Sequence, residues 1–256
     1  IRDSSTSRWL GDFYNRQVLD SLAKNGVNFK RALSQPLCTP SRVKIMTGKH
    51  NYKNYENFTY LNPNQKTFGN LFKENGYETA VVGKWQLNGI EHKIEGFEDN
   101  KRPNHFGFDE YCLWQLTKRK SHGERFANPL IEQNGKFLPR DKDAYGPDIV
   151  SDYAIEFIKR NKNNPFFIYY PMLLVHSPFV PTPDSPEWKS MDTRSRKNNR
   201  FFIDMVEYMD KIIGKISREL SKHRIAENTL ILFVGDNGTL SLIHISEPTR
   251  RRGISY

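Results

Sequence analysis

The sequence predicts an α/β protein with a central sheet sandwiched by helices. Stretches with the helical spacing of apolar residues alternate with β-branched and aromatic runs, the pattern of helices packed on both faces of a sheet. Caps and glycines fall where those stretches begin and end. With 256 residues, 37% apolar and 13% aromatic, the chain can bury a sizeable core, as one large domain or two ordinary ones. It contains no internal repeat and no low-complexity linker.

Taken in order, QVLDSLAKNG places Val18, Leu19 and Leu22 on one helical face and stops at Gly26, and VNFKRAL then reads as a short strand leading to Cys38. TFGNLFKENG opens at Thr67, a good cap, and closes at Gly76. YETAVVGKW has the β-branched run of a buried strand. Residues 90–145, rich in charge, Gly and Pro, read as a long functional insertion. GPDIVSDYAIEFIKRN carries Ile149, Tyr153, Ala154, Phe157 and Ile158 on one helical side, and PFFIYYPMLLV follows as a strand. NNRFFIDMVEYMDKIIGKISREL is a long amphipathic helix, and TLILFVG is a strand ending at Asp-Asn-Gly.

The formal net charge is +10, of which +8 lies outside residues 240–256 and is spread through RVKIMTGK, TKRK, RSRK and KHR rather than gathered in one block. Scattered Lys and Arg form solvated faces, and no nucleic-acid motif accompanies them. An anionic substrate is compatible with this balance. Two cysteines make no disulfide framework; Cys112, within YCLW, reads as a buried small hydrophobe. No apolar run approaches the length of a membrane span. Ile1 is neither an initiator Met nor the start of a signal peptide, so the chain reads as a fragment. After Thr239, LSLIHISEPTRRRGISY matches the translation of a sequencing-library adapter, and residues 240–256 read as a non-native tail.

In α/β folds the loops at the carboxyl ends of strands converge on one crevice. Three positions fall there. In PLCTPSR, a Pro soon after Cys38 suits the first turn of a helix, whose unpaired N–H groups and positive dipole end favour an anion beside the cysteine. Arg42, four residues on, returns to the same side one turn later. In VVGKWQLNG, Lys84 follows a buried strand; alone it reads equally as a solvated lysine at a strand end. In LFVGDNG, Asp236 and Asn237 end the last strand, a plain turn taken alone, or a pair of hard oxygen donors suited to calcium or magnesium.

Order and spacing together resemble the type I sulfatases of the alkaline phosphatase superfamily. CTPSR matches the C-x-P-x-R core, with Cys38, Pro40 and Arg42 in place and Thr47-Gly48 following. GYETAVVGKW matches the second signature and puts Lys84 at its sulfate-binding lysine. LLVHSPFVPTP resembles the segment carrying the active-site histidine, here His176, and LILFVGDNG resembles the strand supplying two metal ligands, here Asp236 and Asn237. The resemblance implies a central mixed sheet between helices. Residues 1–239 are then a partial N-terminal catalytic domain truncated at both ends.

It also implies that Cys38 is converted to formylglycine by a maturation enzyme. The hydrated aldehyde, held at a divalent cation (calcium before magnesium), attacks sulfur and releases the alcohol, and its second hydroxyl expels sulfate. Cys38, Asp236 and Asn237 are the implied metal-site residues, and Arg42 stabilises the hydrate. Lys84 neutralises sulfuryl charge, and His176, with an imidazole pKa near neutrality, holds a sulfate oxygen or protonates the leaving group. Gln86 stands where the family writes histidine; it can hydrogen-bond substrate but cannot act as a base. The paired N-terminal aspartates of the family are not found around Asp3, and the lysine expected beyond Asp-Asn-Gly is missing.

The expected substrate is a sulfated small molecule or glycan, and the expected location is periplasmic or secreted. The fragment itself is expected to be inactive and poorly soluble. Two alternatives are a phosphate or phosphonate ester hydrolase of the same superfamily and a non-catalytic protein that binds sulfated polyanions. Trp114 and Trp188 are candidates to stack on a ring, although Trp114, flanked by Leu113 and Leu116, also suits the core.

Overall fold

The computed structural model describes residues 16–237, so Asp3 and the segment 240–256 lie outside the described residues. Its elements are α1 (Gln17–Asn25), α2 (Cys38–Thr47), α3 (Phe68–Glu74), β1 (Glu78–Lys84), α4 (Arg102–His105), β2 (Glu110–Trp114), β3 (Ile131–Gln133), β4 (Lys136–Phe137), α5 (Gly146–Asn161), β5 (Phe166–Tyr169) and α6 (Phe201–Lys222). The described strands form one mixed sheet in the order β4-β3-β2-β1-β5. β1 runs parallel to β2, with Lys84 level with Trp114, and parallel to β5, with Glu78 level with Phe166. β3 and β4 complete the far edge in antiparallel pairing.

β1 is central, and every residue after Glu78 is buried. This explains its near-continuous apolar run, since a parallel strand covered on both faces has no solvent side to alternate with. On one face Val82, Cys112 and Trp114 pack beneath Val150 and Ala154 of α5 and Met205, Tyr208 and Ile212 of α6. On the other, Val81, Tyr111 and Leu113 meet Val43 and Met46 of α2, Phe106 and Phe108, with Phe68 of α3 against them. The alternation of strand side chains thus sorts the core into two layers.

Several elements form as their residues dictate. Thr67 accepts from the Gly69 N–H at 3.0 Å while Asn70 accepts from the Thr67 N–H at 2.9 Å, a reciprocal cap on α3. Helix α1 places Val18, Leu19 and Leu22 half-buried, and both oxygens of the buried Asp210 on α6 accept from the Val18 and Leu19 N–H groups, at 3.0 and 2.8 Å. This satisfies donors that a helix start otherwise leaves open.

Four expectations change. VNFKRAL forms no strand: Val27 and Leu33 are 77% and 92% exposed. TLILFVG likewise joins no ladder among the described residues, with Leu230 82% exposed. A β-branched run becomes a strand only where a neighbouring edge supplies backbone partners, and among the described residues β5 pairs with β1 alone. The strand within PFFIYYPMLLV is confined to Phe166–Tyr169. Residues 90–145 are no mere insertion, since they contribute β2, β3 and β4.

One glycine positions the end of β1. Gly83 has φ +114°, and a Cβ there would lie 2.2 Å from the Pro171 oxygen, which also accepts from the Lys84 N–H at 2.8 Å. Gly83→Ala is expected to cost about 2 kcal/mol or more, read as a lowered urea midpoint with unchanged m.

Candidate active site

Helix α2 begins at Cys38 itself; Leu37 precedes it in extended conformation and offers no side-chain cap. The first turn holds no acidic residue, so nothing within the helix itself offsets its positive end beside the cysteine. At the other end Gly48 adopts φ +64° and donates its N–H to the Lys44 oxygen at 2.9 Å, so the Thr-Gly of the motif is the stop of this helix. Asn51 donates to the Pro40 oxygen at 2.9 Å and ties the following segment back to the first turn.

Lys84, delivered by β1, is buried, and its Nζ lies 3.3 Å from Cys38 Sγ. The solvated-lysine reading is therefore excluded. Burial first, and then the charge of Arg42, push its pKa down to about 8, with Cys38 opposing. Burial raises the Cys38 thiol, but the charges of Lys84 and Arg42 and the Lys84 hydrogen bond outweigh it, leaving the thiol below its ordinary range while Asp236 pulls the other way.

Arg42 is 3% exposed and spends its guanidinium on the backbone. It donates to the oxygens of Lys84 (3.3 Å), Trp85 and Gln86 (3.4 Å), while its Nε has no partner among the described residues. It therefore fixes the strand end that carries Lys84 and adds positive charge beside Cys38. Gln86 is half-buried at φ +49°, held by its backbone, and its side-chain oxygen is buried without a partner among the described residues.

His176 lies on the loop after β5, at the surface of the same site, with Nδ1 2.7 Å from the Ser177 oxygen. Loss of hydration, then the charges of Arg125 and Lys84, lower its pKa to about 4. This differs from the expectation of an imidazole titrating near neutrality, because loss of hydration and then the charges of Arg125 and Lys84 disfavour the protonated ring.

Asp236 acts electrostatically on Cys38 and on His176, which places the Asp-Asn-Gly corner beside the cysteine. Asp236 and Asn237 are both half-buried. Their carboxylate and amide oxygens have the hard-donor chemistry of a calcium or magnesium site. Among the described residues no three His, Cys, Asp or Glu side chains converge as a metal cluster, so these donors fit part of such a shell.

The structure thus brings Cys38, Arg42, Lys84, His176 and Asp236 together. Arg125 was not anticipated. Read in sequence it is one more charge in a basic region, yet it is 2% exposed and close enough to Cys38 and Lys84 to act on both. The adjacent Phe126 is the only local signal of its burial. Trp114 and Trp188 are both buried, the latter edge-on to Tyr145 at 5.1 Å, so neither offers a face to a substrate ring. Cys112 is fully buried, as expected.

The sulfatase family profile matches residues 11–246. An ulvan-active sulfatase of Formosa agariphila is 28% identical over 244 residues, covering 87% of this chain and 45% of that protein. An N-acetylglucosamine-6-O-sulfatase of Bacteroides thetaiotaomicron is 30% identical over 177 residues, covering 68% and 28%. The crystal structure of Ps i-CgsB in complex with k-i-k-neocarrahexaose matches with a TM-score of 0.68 at 26% identity, covering 88% of this chain and 53% of that one. The chain spans about half, or less, of the length of these relatives. A C-x-P-x-R helix start facing a buried lysine, on a sheet shared with these proteins and under a profile covering most of the sequence, has one reading: the chain belongs to the sulfatase family.

Proposed function

We propose that the protein hydrolyses sulfate esters through a formylglycine derived from Cys38. The observation that carries this reading is the 3.3 Å contact of Lys84 Nζ with Cys38 Sγ at an uncapped helix start, a site built for an anion at that side chain. Once modified, Cys38 supplies a hydrated aldehyde whose hydroxyl displaces the alcohol at sulfur and whose second hydroxyl then releases sulfate. Sγ stands where those oxygens would be. Lys84 draws sulfuryl charge toward itself, and Arg42 holds the Lys84–Gln86 backbone and biases the site toward anions. Neutral His176 meets the ester through Nε2, and Gln86 is assigned a secondary substrate contact.

Asp236 and Asn237 are proposed donors to a divalent cation, calcium before magnesium. Such a cation lowers the pKa of the hydrate. A sulfated glycan is the proposed substrate class, in keeping with the relatives named above. A glycan polymer does not cross a membrane, which favours a periplasmic or secreted enzyme. Among the described residues no helix is long and apolar enough to cross a membrane. Residues 1–239 are proposed as part of the catalytic domain, and 240–256 as a non-native tail.

The test is mass spectrometry of the Cys38 peptide from the full-length protein, with turnover of 4-nitrophenyl sulfate and 4-nitrophenyl phosphate in parallel. Formylglycine at Cys38 with sulfate ester turnover is expected. Unmodified cysteine without turnover would sink the reading, and preference for the phosphate ester would move it to a phosphohydrolase.

A further inference from the structure

The Ser177 carbonyl faces two donors. Arg125 donates from Nη2 to its oxygen, and His176 Nδ1 lies 2.7 Å from the same atom. A carbonyl oxygen can only accept, so the proton of the neutral imidazole sits on Nδ1. Nε2, with its lone pair, is then the nitrogen left to meet a ligand.

Arg125 is buried behind this contact and stacked on two rings. Its guanidinium carbon lies 5.0 Å from the ring centres of both Trp114 and Phe126, and its Nε has no partner among the described residues. Those rings belong to the core beneath β2 and α5, so the guanidinium is anchored to the sheet rather than to the loop that carries His176. Burying a guanidinium is costly, and packing alone would be served better by an apolar side chain. A loop carbonyl with a single donor can turn and take the imidazole with it. A second, sheet-anchored donor removes that freedom.

We propose that Arg125 is the positioning residue for His176, fixing through the Ser177 carbonyl both the Nδ1–H tautomer and the presentation of Nε2 to the sulfate ester. The proposal rests on the sulfatase reading in assigning the ester as the ligand of Nε2. The charged groups facing His176 are Arg125, Lys84 and Asp236, so removing Arg125 also removes one of two cations that keep the ring neutral.

The experiment uses Arg125→Met and Arg125→Lys in the full-length enzyme, each also combined with His176→Ala. Long-range ¹⁵N NMR of the His176 ring is expected to show protonated Nδ1 in the wild type and a mixed or inverted tautomer in Arg125→Met. With 4-nitrophenyl sulfate, kcat is expected to fall about ten- to a hundredfold in Arg125→Met with KM little changed, and Arg125→Lys, which keeps a donor and the charge, should recover part of it. On the His176→Ala background the same replacement should cost several-fold less in kcat, what remains being the charge that Arg125 exerts on Lys84. A wild-type ring protonated on Nε2, or equal losses on both backgrounds, would overturn the assignment. Should the wild type turn over no sulfate ester, the functional reading fails on its own, while the NMR result still decides the tautomer.

Discussion

On the proposed mechanism, Cys38→Ala is expected to abolish sulfate ester turnover, by about 10⁴-fold or more, because it removes the thiol whose conversion yields the aldehyde and hence the hydrate nucleophile. The fold should survive. Cys38 is only half-buried at a helix start, and alanine is tolerated there without a cavity in either core layer. The replacement frees Lys84 Nζ from the contact with Cys38 Sγ and leaves the positive helix start, Arg42 and Lys84 in place. Binding of a sulfated glycan, followed by calorimetry, is therefore expected to persist within about tenfold while turnover disappears. Full retention of turnover would exclude the formylglycine mechanism. A wild type that binds without turnover, with binding indifferent to the Cys38 change, would support the non-catalytic sulfated-polyanion reading.

Lys84→Met should separate activity from stability. The ammonium is buried beside Arg42, and its pKa near 8 shows that the native site disfavours its charge. An unfolded lysine still binds its proton between that value and about 10.5, so the native state gains stability as pH rises through this window. In Lys84→Met that gain is expected to vanish, and stability at pH 7 should match or exceed the wild type, since a buried charge has been replaced by a side chain of similar volume. Turnover should move the other way. On the role proposed for Lys84, loss of its charge is expected to lower kcat/KM by about 10²- to 10³-fold. In the wild type, burial and the charge of Arg42 hold the Lys84 pKa below its ordinary value, so kcat/KM should fall on the alkaline side as free-enzyme Lys84 loses its proton. Lys84→Met should lack that limb. Urea titrations and pH–rate profiles over the same pH range check both statements, and an unchanged alkaline limb in the variant would assign it to another group.

Much of the site was legible as residue types at fixed spacing. Cys38 and Arg42 share one helix, and a four-residue interval brings them to one side whatever surrounds them. Lys84 was ambiguous in sequence, because the same letters at a strand end describe a solvated lysine and a buried one. Its choice between the two was made by Arg42, whose donors gather the carbonyls of residues 84–86, and by Cys38 at 3.3 Å. His176 was found by its segment, but its protonation was misjudged. Loss of hydration lowers its pKa first, and the cations that lower it further, Arg125 and Lys84, come from positions 51 and 92 residues away in the chain, so no local pattern announces either.

Sequence by itself determined the alternation of helices and strands, the cap at Thr67, the helix stops at Gly26 and Gly76 and the family motif around Cys38, because each depends on neighbours within a turn or two. Tertiary structure decided which apolar runs became strands. Residues 78–84 found partners on both sides, whereas 27–33 and 229–235 found none among the described residues and stayed out of the sheet. It also decided that Arg125, one basic residue among 39, is buried against Trp114 and Phe126 and turned to Ser177. Periodicity records which face of a segment avoids water, while pairing and charge depend on what the rest of the chain brings to that face.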